Sequence, residues 1–237
     1  MTRPPLARIA LSLFLIAAGA MPVLSIPLAV SGLLPMHAEA LFLVAPMSLL
    51  AGALRTRNSP EAAWALKGLI AGLVAVTAYD AMRIPMLLAG AWPDFIPRLG
   101  GWVLGTGGTH LLTGYLWRYL GDGGGIGLAF FVFCRMVASV RPSLISTHPI
   151  LLSIGYGVFI WSGLLGTVAV IPHGAAMLFP LSPVSFFLSL LGHLIYGGVL
   201  GLFLSRTVAR TTTGAAPQPA AMGAASQPRL NGLSKQR

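Results

Sequence analysis

The stretch Ser189-Leu-Leu-Gly-His-Leu-Ile-Tyr-Gly-Gly-Val-Leu-Gly201 carries no charged residue and one histidine. Wound as a helix, it brings Ser189, His193, Gly197 and Gly201 onto one face, because they recur every four residues. Glycines at that spacing let a second helix approach closely in lipid, and a histidine among them faces protein rather than acyl chains. The stretch therefore predicts a membrane helix with a packing seam that holds one ionisable group able to ligate a metal.

The rest of the chain supports a membrane class. Of 237 residues, 56% are hydrophobic and 8% are charged, against about 25% charged in a typical soluble domain. Mean hydropathy is +0.82. The 29 glycines and 18 prolines fit membrane helices, which tolerate both better than soluble helices do. The expected fold is all-α, a polytopic integral membrane helical bundle. Cys134 is the only cysteine, so no internal disulfide can form and no Cys-x-x-Cys motif exists.

The net charge of +10 is concentrated at the ends and in a few loops. Arg3 and Arg8 precede the first apolar run, and Arg206, Arg210, Arg229, Lys235 and Arg237 follow the last without an acid among them. In a membrane protein this pattern signals orientation and contact with anionic lipid rather than nucleic-acid binding. The start has the outline of a signal peptide, but its apolar run outlasts an h-region and has no clear cleavage site. It is expected to stay as the first span.

Spans of about 20 residues divide the chain into seven membrane-embedded segments, at about 9–34, 40–54, 64–88, 99–120, 126–140, 150–171 and 184–204. Pro22 and Pro27 should kink the first. Gly121-Asp-Gly-Gly-Gly125 should break the chain between segments four and five. Segment five is short and contains Arg135, so a re-entrant element fits it and leaves six crossings. Seven crossings also fit, but they put the basic tail on the opposite side from Arg8. Six crossings put both ends in the cytoplasm of a multi-pass protein of a bacterial inner membrane. Residues 1–205 form the membrane helical domain, and 206–237 a disordered basic cytoplasmic tail.

Four polar groups inside the apolar segments are the candidates for chemistry. Asp80 and Arg83 lie three apart, in line with Gly68 and Gly72, and predict an intramembrane ion pair facing the bundle. That pair either locks segment three or forms a proton or anion site. His110 and His193 each lie about ten residues into their segments, so both should sit near the membrane centre. Two such imidazoles could hold a b-type haem or a quinone, or could simply hydrogen-bond helices together. Gly68, Gly72, Gly197 and Gly201 are the expected helix-packing positions. His110-Leu-Leu-Thr-Gly114 also echoes His193-Leu-Ile-Tyr-Gly197, as a duplicated unit would.

Other motifs exclude more than they offer. His37 and Glu39 are too few ligands for a metal site. The glycine run lacks the lysine and hydroxyl of a phosphate loop, and no serine–histidine–acid set supports hydrolysis. No catalytic residue is assigned, and enzyme activity is not expected.

Ala78-Tyr-Asp-Ala-Met-Arg-Ile-Pro85 and Gly192-His-Leu-Ile-Tyr-Gly-Gly-Val-Leu-Gly201 resemble signatures of small polytopic proteins of bacterial inner membranes, themselves uncharacterised. That resemblance implies a compact helical bundle and no activity. Three functions stay open, in this order. The first is a non-catalytic subunit of a larger membrane complex, such as an electron-transfer complex, meeting other subunits through small-residue faces. The second is a redox subunit holding haem or quinone at His110 and His193. The third is a small-solute or proton-coupled transporter using Asp80 and Arg83.

Overall fold

A computed structural model describes residues 6–54 and 59–213, with side chains through Ala209. The apolar segments form helices, and no strand occurs among the described residues. In order these are α1 (Leu6–Val30), α2 (Met36–Leu54), α3 (Pro60–Leu88), α4 (Ile96–Leu104), α5 (Leu111–Val140), α6 (Pro142–Thr147), α7 (Pro149–Val170), α8 (Gly174–Met177) and α9 (Pro183–Thr213). Six of them, α1, α2, α3, α5, α7 and α9, are long and apolar enough to cross a membrane. The protein is a helical membrane bundle.

Local chemistry explains the helix ends. Ser59 accepts a hydrogen bond from Ala62 N at 3.1 Å, and Pro60 follows it, so α3 starts with a side-chain cap and a pre-set φ. Gly105 ends α4 in the left-handed conformation (φ 68°), which costs a residue without Cβ nothing. Pro22 and Pro27 lie inside α1, where the Pro22 carbonyl accepts from Ser25 Oγ at 2.6 Å and Trp117 Nε1 at 3.3 Å.

Two expected boundaries change. Segment four is not one helix: α4 ends at Leu104, and a glycine-rich turn leads to α5 at Leu111. The turn folds α4 back on the start of α5, with His110 N donating to Pro97 O at 2.8 Å. Segment five is not a re-entrant element either. It is the second half of α5, which runs unbroken through Gly121–Gly125 as a π-helical turn from Trp117. The short non-crossing helix is α4. Position decides between the two glycine clusters, because the second is held between neighbouring helices and the first is not.

Those contacts are close enough to require glycine. A Cβ on Gly68 would lie 2.5 Å from Gly127 O, and one on Gly72 would overlap Gly123 O. A Cβ on Gly125 would meet Gly19 O at 2.5 Å. So α3 and α1 both pack backbone to backbone on α5. The opening seam packs α9 on α7: added Cβ atoms would lie 2.6 Å from Ser153 O at Gly197 and 2.7 Å from Ile150 Cα at Gly201. Trp161 Nε1 donates to Ser189 Oγ at 3.0 Å along the same seam. α9 also packs along α3, which completes the core around Phe130, Phe131, Tyr196 and Leu200. α2 stands at the edge and buries little.

The last helix runs to Thr213, past the expected domain boundary at 205. Residues 214–237, with Arg229, Lys235 and Arg237, lie outside the described residues, as do Arg3, Arg55 and Arg57.

Candidate functional site

The close approach of α3 to α5 brings Asp80 against Arg118. Arg118 donates through Nε to both carboxylate oxygens at 3.0 Å and through Nη2 to Oδ1 at 2.6 Å. Both side chains are almost wholly buried, at 1% and 8% exposure. Bidentate, charge-assisted bonding of this kind is what makes a buried pair tolerable in low dielectric.

Arg83, the expected partner, stands 3.7 Å from Asp80 and makes its shorter contact elsewhere. Its Nη2 donates to Asp94 Oδ1 at 2.5 Å, and its Nη1 to Tyr115 Oη at 3.4 Å. Tyr115 in turn donates to Asp94 Oδ2 at 3.1 Å. The intramembrane pair Asp80–Arg83 is therefore the middle of a chain running Arg118–Asp80–Arg83–Asp94. Aromatic rings surround it, with the Arg118 guanidinium carbon 4.7 Å from the Tyr79 ring centroid and that of Arg83 5.9 Å from Trp92.

This network forms one wall of a cavity of about 450 Å³. The inner wall presents Tyr79, Arg83, Arg118, Asp122, His193 and Tyr196. The facing wall is mostly apolar, built from Val23, Leu24 and Pro27 on α1 and Phe159, Ile160 and Leu164 on α7, with the hydroxyls of Ser162 and Thr167 beside them. Leu24 is 51% exposed and Phe159 69% exposed, so the cavity is open sideways between α1 and α7, two helices that barely touch. A bilayer would meet that opening.

Within the inner wall, His193 Nδ1 lies 2.7 Å from Ser189 O, a geometry that fixes the proton on Nδ1 and leaves Nε2 as an acceptor in the neutral ring. The ring lies 5.4 Å from that of Tyr79. Tyr196 donates to Gly123 O at 2.6 Å, which ties α9 to the π-helical turn. Asp122 sits in that turn, and its Oδ1 is shut off from solvent and receives no hydrogen bond. Trp92 Nε1 is in the same state. Glu39 is also buried without hydrogen bonds to its carboxylate, but it does not line the cavity.

The two histidines are not brought together. His193 lines the cavity, whereas His110 is exposed at the start of α5 and is absent from the lining. Its segment breaks at Gly105, so it is not ten residues into a helix, and the echo of His193-Leu-Ile-Tyr-Gly197 ends there too. Gly68, Gly72, Gly197 and Gly201 all lie at helix–helix contacts. His37 lies beside Gly105, and among the described residues no three His, Cys, Asp or Glu gather as a metal site.

The sequence alone singles out none of Arg118, Asp94, Asp122 and Tyr79 as site residues. One signal pointed to two of them: Arg118 and Asp122 lie four apart, on one face of a helix that seemed to end between them. No family model, curated protein sequence or solved structure matches this chain.

Proposed function

We propose that this protein binds an amphipathic small molecule taken sideways from the bilayer, and that it works as a transporter or carrier for it. One observation carries the reading. A single cavity joins an exposed apolar opening between α1 and α7 to a wall of buried charges and hydroxyls. Charges within a membrane cost about 2.5–3.5 kcal/mol each on insertion scales, and they mark ligand or proton paths more often than decoration. Pockets that are mostly apolar with a few convergent polar groups are the usual form of a small-molecule site.

The other two readings have less support. Small-residue seams suggested a subunit that needs partners, but α3, α5, α7 and α9 use those seams on one another. Paired haem ligation needs His110 beside His193, and only His193 faces the cavity. Six crossings would put both ends on one side, and Arg8 and Arg206 at those ends favour the cytoplasmic face of a bacterial inner membrane.

An apolar diazirine photolabel added to the protein in lipid nanodiscs tests the reading. Peptides carrying Tyr79 and His193 should be labelled along with lipid-facing ones. Gly163 lies at the cavity mouth with nothing within 4 Å of an added Cβ, so Gly163→Trp should fold and suppress only the inner labelling. Inner peptides that stay unlabelled, or labelling indifferent to Gly163→Trp, would sink the proposal.

A further inference from the structure

We infer that the ligand is a lipophilic cation, and that it exchanges with a proton on Asp122; this inference rests on the cavity reading above. The argument starts from charge. The inner wall and its network hold two guanidinium groups, Arg83 and Arg118, and three carboxyl groups, Asp80, Asp94 and Asp122. Asp80 takes Arg118 and Asp94 takes Arg83, at hydrogen-bond distance in each case. Asp122 is left over.

Arg118 is the cation that acts on Asp122, and Asp80 already takes it at hydrogen-bond distance. From its own helix Asp122 faces Arg118, whose Nε and Nη2 are spent on Asp80. α3 offers Tyr79, Asp80 and Arg83, the last taken by Asp94, and α9 offers His193 and Tyr196. The His193 ring holds its proton toward Ser189 O, and the Tyr196 hydroxyl is committed to Gly123 O. α1 and α7 line the cavity with no charged side chain. Glu61, by contrast, has its own cation in Arg8 at 2.7 Å.

A carboxylate in low dielectric that only shares a cation is relieved in one of two ways, by a proton or by a further cation. With the proton on, the five groups sum to neutrality; with it off, they hold one net negative charge. A bulky cation entering between Leu24 and Phe159 meets an apolar mouth and then the Asp122 carboxylate. As it binds, the carboxyl O–H bond breaks, the electron pair stays on oxygen and the proton leaves to solvent. An anion of the same shape would meet an uncompensated carboxylate, so the wall discriminates by sign.

Tetraphenylphosphonium, whose charge does not titrate, is the probe, measured by isothermal titration calorimetry on the full-length protein in nanodiscs. Its affinity should rise as pH rises from about 6 to about 8, by up to about tenfold per unit, with up to about one proton released per cation bound. The proton count, read from heats in two buffers, needs no variant. Asp122→Asn should weaken binding at least about tenfold at the upper pH and flatten the profile. Binding without proton release, or equal binding of the tetraphenylborate anion and neutral triphenylphosphine oxide, would overturn the cation assignment and leave the cavity reading standing. If none of the three binds and Gly163→Trp changes no inner photolabelling, both fail together.

Discussion

Arg118→Met is expected to destabilise the bundle by about 3–5 kcal/mol, the usual result of removing one partner from a buried ion pair. Asp80 is 1% exposed and takes three of its contacts from Arg118. Its other cation, Arg83, is 3.7 Å away and already bonded to Asp94. The variant therefore leaves the buried Asp80 carboxylate with Arg83 alone, at 3.7 Å. Thermal unfolding in detergent should show the loss. Asp80→Asn on the Arg118→Met background should return much of it, because the stranded charge is gone. Arg118→Lys should fall between them, since an ammonium cannot reproduce the bidentate fork. Equal stability of Arg118→Met and the parent would mean that the pair does not join α3 to α5.

Gly72→Val should be more damaging still. A Cβ at Gly72 overlaps the Gly123 carbonyl, and one at Gly127 would lie 2.7 Å from Gly72 Cα. Backbone faces backbone there, so no side chain can swing away. The helices must separate, and the same separation pulls Arg118 from Asp80. Overpacking costs about 1–3 kcal/mol where side chains can yield; here the cost adds to that of the broken ion pair. Gly198→Val is the control, because an added Cβ there meets nothing within 4 Å although its neighbour Gly197 is tightly packed. Size-exclusion chromatography of purified protein should give a folded peak for the control and aggregate for Gly72→Val. A folded Gly72→Val would contradict the close contact of α3 and α5.

The membrane class and the spans were legible because apolar length is a one-dimensional property. Ser189, His193, Gly197 and Gly201 also revealed their shared face, since helical spacing is local. What sequence concealed was tertiary. Gly105 and Gly121–Gly125 look alike as breakers, yet only the first ends a helix. The second cluster stays helical because α1 and α3 press against it, and no local rule contains that contact. The misplaced break then hid the site. With an end at Gly121, Arg118 falls in the last turn of segment four and Asp122 in the break, and local spacing sets neither beside Asp80. His110 shows the reverse: the helix that opens segment four stops at Leu104, so His110 begins a new helix instead of sitting inside one. Asp94 lies between segments three and four, and the turn after α3 brings it back to Arg83.

The most direct measurement is a side-chain-resolved map of the protein in lipid nanodiscs. The expected result is an open gap between α1 and α7 with elongated density running from Phe159 and Leu24 inward to Asp122. A map with α1 closed on α7, Leu24 touching Phe159 and no cavity beside Arg118 would contradict a ligand site entered from the bilayer.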